Sequence, residues 1–268
     1  EDSNAMNLTV HSGSAIEVNG EQSIAVLAQS NVLPIDVTVI GTVQGGSTAA
    51  GTSSDGTNGL PGTGVMISGG GIAVNNRITI EKDGKLTTHG DSHIGYAIRT
   101  DYGTTDVTNE GTITGSVDLG TTPGTFTNQS AGVLNKGAVY KVGNNSLHNY
   151  GTINIGQEAT VETTNLDGRM VQYDSGRTLV TFDVLGEQTN DRLIVDGTAV
   201  MGGSFQTRAK SLLPGDYEFL TATNLTVTAE AVDRLLYAWD ATVDSGSVTV
   251  TPTRTFRTEG LSLSPTSQ

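Results

Sequence analysis

Cysteine is absent from the 268 residues, so neither a disulfide nor a thiolate metal site enters the folding problem. A reducing compartment explains that absence, and so does secretion through membranes in an unfolded state. Cations are scarce as well: 14 Lys and Arg stand against 28 Asp and Glu, a formal charge of −14. That balance argues against a nucleic-acid backbone or an anionic membrane as the main partner. No apolar run reaches the ~18–20 residues that a membrane helix requires. No charged-then-apolar signal peptide opens the chain, so any targeting segment is expected to have been removed. Helical periodicity is weak throughout. Ser3-Asn-Ala-Met6 reads as a cloning junction, and residues 1–6 are set aside from the fold.

What is present is glycine (35 residues), with Thr, Asn, Ser and Val, arranged in a repeat. The line Val107-Thr-Asn109-Glu-Gly111-Thr-Ile113-Thr-Gly115 returns at Phe126-Thr-Asn128 and at Leu147-His-Asn149-Tyr-Gly151-Thr-Ile153, in steps of 19 and 21 residues. Short strands joined by Gly and Asn turns at such steps mark a solenoid, in which each coil buries its apolar side chains only against the next. Each coil is expected to hold two pieces. One is a short apolar strand: Ile24–Leu27, Val65–Ile67, Ile94–Ile98, Val117–Leu119 and Val139–Val142. The other is the Asn/Gly line, beginning near residues 37, 78, 107, 126 and 147, so that coils shorten toward the C-terminal side. No hairpin signal separates consecutive pieces, which predicts parallel coils with right-handed crossovers. The Asn side chains are expected to hydrogen-bond from coil to coil, and the turn glycines to supply positive φ.

The longest insertion, residues 45–64, is Gly/Ser/Thr-rich and buries too little to offset its ordering entropy. It is expected to be an exposed loop and the first segment to test for binding. From about Gln157 the repeats fade and the chain becomes more aromatic: eight of the thirteen aromatic residues lie from Tyr173 onward, among them the single Trp239. Tyr237–Val243, a turn at Asp244–Ser247 and Val248–Val250 predict a hairpin. Ala229–Leu236 is expected to form a short helical turn. The sequence divides into coils over 7–156, a C-terminal cap over 157–256 and a tail over 257–268.

Thr189-Asn-Asp191-Arg-Leu-Ile-Val195-Asp-Gly197-Thr-Ala-Val-Met-Gly202, followed by Leu213-Pro-Gly215-Asp-Tyr217-Glu-Phe-Leu220-Thr-Ala222, resembles the C-terminal passenger region of bacterial autotransporters. In that family an S/N-D-x-L-x-V-x-G-x-A-x-x-G coil precedes a PG-x-Y-x-L-x-x-A strand. The upstream Asn/Gly lines are similar to that family's passenger repeats, and Leu261-Ser-Leu263-Ser-Pro265 to the segment before its linker and barrel. The resemblance implies an all-β, right-handed parallel β-helix with a C-terminal β cap, the autochaperone, that folds first. It also implies an excised passenger fragment displayed on the bacterial surface or secreted, in contact with a membrane only through a barrel that is not in this sequence.

Candidate chemistry is thin. Asp244-Ser245-Gly246-Ser247 is similar to a serine-protease nucleophile loop, but Val243 precedes it where that loop carries Gly. The four histidines (His11, His89, His93 and His148) fall on distant coils, and a nucleophile needs a positioned base. His89-Gly-Asp91-Ser-His93 offers three metal-ligand types at a spacing that suits a helix face in a non-helical segment. Asp55-Gly-Thr-Asn58-Gly lacks the repeat that binds calcium in stacked turns. Asp101, Asp106, Glu110 and Asp118 would have to converge on one groove to act as the paired carboxylates of a glycan-active enzyme; solvation of an acidic surface is the alternative. The expected function is that of a non-enzymatic adhesin or self-association module. Its partner would be a host-cell protein, a glycan or another copy of the passenger, and no catalytic residue, cofactor or metal is assigned. A glycan-active enzyme and a stalk for an upstream head are the competing expectations.

Overall fold

The computed structural model describes residues 5–47, 61–69, 74–91, 94–101, 103–120, 124–156, 160–232 and 237–254. The fold is nearly all β, and its strands lie in long parallel sheets. The chain visits three ladders of parallel strands in a fixed order. The first holds Met6–Val10, Ile35–Val39, Asn75–Ile80, Thr104–Asn109 and Phe126–Asn128. The second holds Ala15–Glu17, Thr42–Gln44, Lys85–Thr87, Thr112–Thr114, Val133–Asn135 and Thr152–Asn154, then Arg177–Asp183, Ser204–Ser211 and Glu230–Val232. The third holds Ile24–Gln29, Thr63–Ser68, Tyr96–Thr100 and Ser116–Asp118.

Each sequence repeat divides differently from the expectation of two pieces. The line from Val107 to Gly115 is not one strand: it bends at Glu110-Gly111 and passes from the first ladder to the second. The expected starts near 37, 78, 107, 126 and 147 do fall in one column, because Val37, Ile78, Val107, Phe126 and Leu147 pair in register. Met170 and Ala199 continue that column, so the circuits are shortest mid-chain and lengthen again, rather than shortening toward the C-terminus. Beyond Ala138 the third and first ladders fuse into single bent strands, Val139–Asn149, Thr163–Gln172, Arg192–Met201 and Tyr217–Val227. The ladders therefore run without interruption past Gly156.

Strand alternation sends one side chain in two toward the interior. Val26, Val65, Ile98, Val117, Tyr140, Leu166 and Val195 form one buried column of the third ladder. Val43, Leu86, Ile113, Leu134, Ile153, Thr178 and Phe205 form the matching column of the second. A third column changes chemistry along its length. Val39 and Ile80 give way to Asn109, Asn128, Asn149 and Gln172, and Met201 follows. The four amides are buried and linked head to tail. Nδ2 of Asn109 donates to Oδ1 of Asn128 (2.7 Å), Asn128 to Asn149 (2.8 Å), Asn149 to Oε1 of Gln172 (3.0 Å), and Gln172 to the Gly202 carbonyl (2.7 Å). Such a line satisfies buried polar groups that would otherwise be costly, except at its start, where Asn109 Oδ1 is buried without a partner.

The C-terminal end is closed by an antiparallel hairpin, Tyr237–Asp244 with Ser247–Arg254, the latter pairing with Tyr217–Val227. Trp239 is buried there and stacks on Phe182 at 4.9 Å, while Phe205 meets Phe219 edge-on at the same distance. Two expectations are corrected locally. Glu230–Val232 is a strand paired with Ser204–Gln206 rather than a helical turn, and residues 233–236 lie outside the described residues. Met6, set aside as part of a junction, begins the first strand and pairs with Ile35. The tail 257–268 lies outside the described residues.

The corner glycines are also explained differently. At Gly84, Gly111, Gly132 and Gly151 φ is ordinary; what excludes a side chain is the backbone of the preceding circuit. A Cβ on Gly111 would sit 2.3 Å from the Gly84 carbonyl oxygen, and one on Gly151 would sit 2.3 Å from that of Gly132. Positive φ is found at other turn glycines, such as Gly115 and Gly203, and where the fused strands bend, at Gly143, Gly168 and Gly197. Gly111→Ala is therefore expected to lower the unfolding free energy in urea by about 2–3 kcal/mol. Gly215→Ala, whose Cβ would meet Tyr217 Oη at an ordinary 3.5 Å, should change it by no more than about 0.5 kcal/mol.

Candidate functional site

The residues singled out by chemistry do not gather in one place. Asp106 is outward on the first ladder, and its Oδ1 accepts both the backbone N–H (2.7 Å) and the hydroxyl (2.8 Å) of Thr125 from the next circuit. Asp118 is outward on the third ladder, registered between Arg99 and Lys141; its Oδ1 accepts the Gly120 N–H at 2.8 Å and lies 3.9 Å from Lys141 Nζ. Asp101 lies 3.5 Å from Arg99 Nε, and Glu110 occupies a corner between ladders. Three of the four are thus committed to hydrogen bonds or cations; Asp101 and Asp118 both lie beside Arg99 on the third ladder, while Asp106 is on the first.

Ser245 is at the tip of the C-terminal hairpin, where its own N–H donates to Asp244 Oδ1 at 2.7 Å. His11, His89 and His148 belong to other elements. His89–Asp91 forms a single 3-10 turn with Gly90 at φ 65°, and His93 lies outside the described residues. Among the described residues no group of three His, Asp or Glu is placed to hold a metal ion. Of the 45–64 loop, residues 48–60, with Asp55 and Asn58, lie outside the described residues. Its described ends are buried, Thr63 and Gly64 opening a strand of the third ladder, so the insertion is narrower than expected.

Two features escaped the sequence reading. The first is Asp191, fully buried. Its Oδ2 accepts the N–H groups of Thr181 (2.7 Å) and Gly156 (3.1 Å), and its Oδ1 that of Glu162 (2.8 Å). One carboxylate thereby ties together segments from separate circuits. Burial pushes its carboxyl up to about 6, against the pull of those three N–H donors.

The second feature is aromatic and lies outside. Tyr150 and Tyr173 are successive corner residues, each following an amide of the buried line. Their rings stack with centroids 4.0 Å apart and planes within 5°. His148 Nδ1 lies 3.0 Å from the Tyr173 hydroxyl, and a hydrogen bond with Tyr173 raises the pKa of the Tyr150 phenol. The sequence signal was the shared offset of Asn149-Tyr150-Gly151 and Gln172-Tyr173, which reads as turn chemistry until the register is known.

Concave features sit at the C-terminal end. Leu212, Leu213, Pro214, Tyr237, Pro252 and Thr253 line an apolar pocket of about 410 Å³. A polar groove of about 770 Å³ runs past Gln188, where Arg192 pairs with Glu218 at 3.1 Å. No protein-family model matches the chain, and no curated protein is significantly similar to it in sequence.

The Asp191 geometry predicts a pH dependence. Its folded value of about 6 exceeds the ordinary value of 3.8, so the native state holds an extra proton between those limits. The contribution is fully present below about pH 4 and is lost as pH rises through 6, a change of about 3 kcal/mol. In urea unfolding at pH 4, 5, 6 and 7, the difference between wild type and Asp191→Asn should change by about that amount, in that direction. An unchanged difference would mean that Asp191 is ionised throughout.

Proposed function

We propose that the chain is a right-handed parallel β-helix with a C-terminal β cap, the passenger of a bacterial autotransporter, and that it serves as a surface-displayed adhesin. The observation that carries this reading is the continuous pairing of parallel strands along the ladders, with their outward side chains in columns. It makes a long, repetitive outer face suited to extended contact. Each of Asp106, Asp118 and Asp101 is engaged with a neighbouring N–H, hydroxyl or cation, which favours binding over the paired-carboxylate chemistry of a glycan-active enzyme.

The C-terminal motif that carries the family resemblance has physical work to do in this fold. Leu193, Val195 and Ala199 are buried, Gly197 makes the bend at φ 155°, and Asp191 ties circuits together. Pro214-Gly215 turns into the strand whose Phe219 and Leu220 seal the end. Such a region suits a folding nucleus, because a circuit gains most by adding to a preformed, closed end.

Displayed on a non-adherent bacterial host, the chain should increase attachment to epithelial monolayers or sediment the cells by self-association. Incubation with neutral and acidic polysaccharides should yield no new reducing ends or unsaturated products. Product release that is lost in Asp106→Asn or Asp118→Asn would replace adhesion with the enzymatic reading.

The nucleus is tested separately by dilution from denaturant. Residues 7–156 alone should fail to regain a cooperative transition, while 7–256 should regain one. Equal cooperativity of the two would remove the folding role from the C-terminal region.

A further inference from the structure

Tyr150 and Tyr173 stand apart from every other aromatic side chain among the described residues. Tyr96, Phe126, Tyr140, Phe182, Phe205, Phe219 and Trp239 are buried. Tyr217 and Tyr237 pack against the same core from the C-terminal cap. Only the stacked pair is half-buried and absent from that core, at a corner of the outer surface. The corner column can be followed through its backbone bonds: Gln129 N–H donates to the Asn109 carbonyl, Tyr150 to Asn128, Tyr173 to Asn149, and Gly202 to Gln172. A polar side chain precedes the pair, and a residue with no side chain follows it. The ring of Tyr173 therefore has Tyr150 on one face, and the next corner position holds Gly202, which carries no side chain and has the Asp174 carboxylate beside it.

We propose that this step is a carbohydrate-binding platform, and that its ligand is a neutral pyranose presented by a glycan. The inference rests on the adhesin reading and names the class of partner for it. An aromatic face accepts the apolar C–H side of a sugar ring, while a polar edge satisfies the hydroxyls that are desolvated with it. Both halves are here. The stacked rings supply the face. The Tyr173 hydroxyl, 3.0 Å from His148 Nδ1, supplies a polar edge beside them. Exposed Asp174 and Ser175 follow Tyr173 in its turn, where the Ser175 hydroxyl is held by the Tyr150 carbonyl at 2.9 Å. The net charge of −14 works against sialylated or sulfated glycans and selects neutral ones.

The test is a printed array of neutral and sialylated oligosaccharides probed with the purified chain, with the brightest neutral oligosaccharide then titrated by calorimetry. Binding should be confined to neutral structures, weaken about tenfold in Tyr173→Ala, and weaken less in Tyr173→Phe, which keeps the stack and loses the hydroxyl. His148→Ala should resemble Tyr173→Phe. Thermal unfolding of each variant identifies any that fails to fold, and Tyr173→Phe remains informative because it preserves the packing. Absence of neutral-glycan binding, preference for acidic glycans, or a neutral-glycan affinity untouched by all three substitutions would each overturn the platform. Attachment of displayed wild type to cells stripped of surface glycans, with Tyr173→Ala attaching equally well, would assign adhesion to a protein partner. That result would sink the platform and leave the adhesin reading standing, whereas no attachment by wild type would sink the adhesin reading itself.

Discussion

Everything in this fold depends on how closely the backbone of one circuit approaches the next at the corners. A carbonyl oxygen of one corner occupies the place where the Cβ of the next would be, at Gly84, Gly111 and Gly151 alike. The contact is between main-chain atoms, so no rotamer change relieves it, and only a residue without a side chain fits. Glycine at these corners therefore sets the stacking distance, and the stacking distance keeps the ladders in register. Once the register is fixed, alternation alone decides which side chains are buried. The apolar columns of the core follow from the corners rather than the reverse.

The buried amides sharpen the same constraint. Asn109, Asn128, Asn149 and Gln172 occupy one column, and each donates to the acceptor of the next. A hydrogen bond of 2.7–3.0 Å between side chains on consecutive circuits tolerates little sliding, whereas a column of Val or Ile would accept small shifts. Leaving one amide unsatisfied in the interior costs about 1–3 kcal/mol, so a slip of register is penalised several times over. The longer side chain of Gln172 is matched to its place, since it also accepts the Thr178 hydroxyl at 2.8 Å and reaches the Gly202 carbonyl. Asp191 repeats the strategy with a carboxylate and three main-chain donors where the chain crosses between longer circuits.

Much of this was legible in the sequence, and what was not has a physical reason. The column from Val37 to Leu147 could be read directly, because identical turn chemistry forces identical spacing. The corner at Glu110-Gly111 could not, since a Gly inside an alternating line looks the same whether the strand continues or turns; only the backbone contact with Gly84 distinguishes them. The expectation of positive φ at turn glycines holds at Gly115 and Gly203 but not at Gly111 or Gly151 for that reason. Positive φ is a local property and close approach is not, and the first applies at Gly143, Gly168 and Gly197 while the second applies at the corners. Asp191 belonged to a recognisable motif, yet its partners Gly156, Glu162 and Thr181 are scattered in sequence. Tyr150 and Tyr173 are 23 positions apart and meet only because Asn149 and Gln172 pair.

The two ends of the ladder system are built on different terms. In the middle of the chain, circuits are short, strands are three residues long, and corners are sharp. Toward the C-terminus the third and first ladders fuse into strands of 10 or 11 residues, so each circuit brings more main-chain hydrogen bonds per corner. Aromatic residues fill the enlarged interior, from Phe182 and Phe205 to Trp239, and the antiparallel hairpin pairs with the start of the last fused strand. Exposed edges invite pairing with other chains, and an edge paired at its start with a wide aromatic core is the one place where a first circuit could hold its shape without a neighbour on both sides. The short circuits lack that means of support, having neither wide interiors nor long strands. Glycine corners and linked amides are what hold the register of these short circuits.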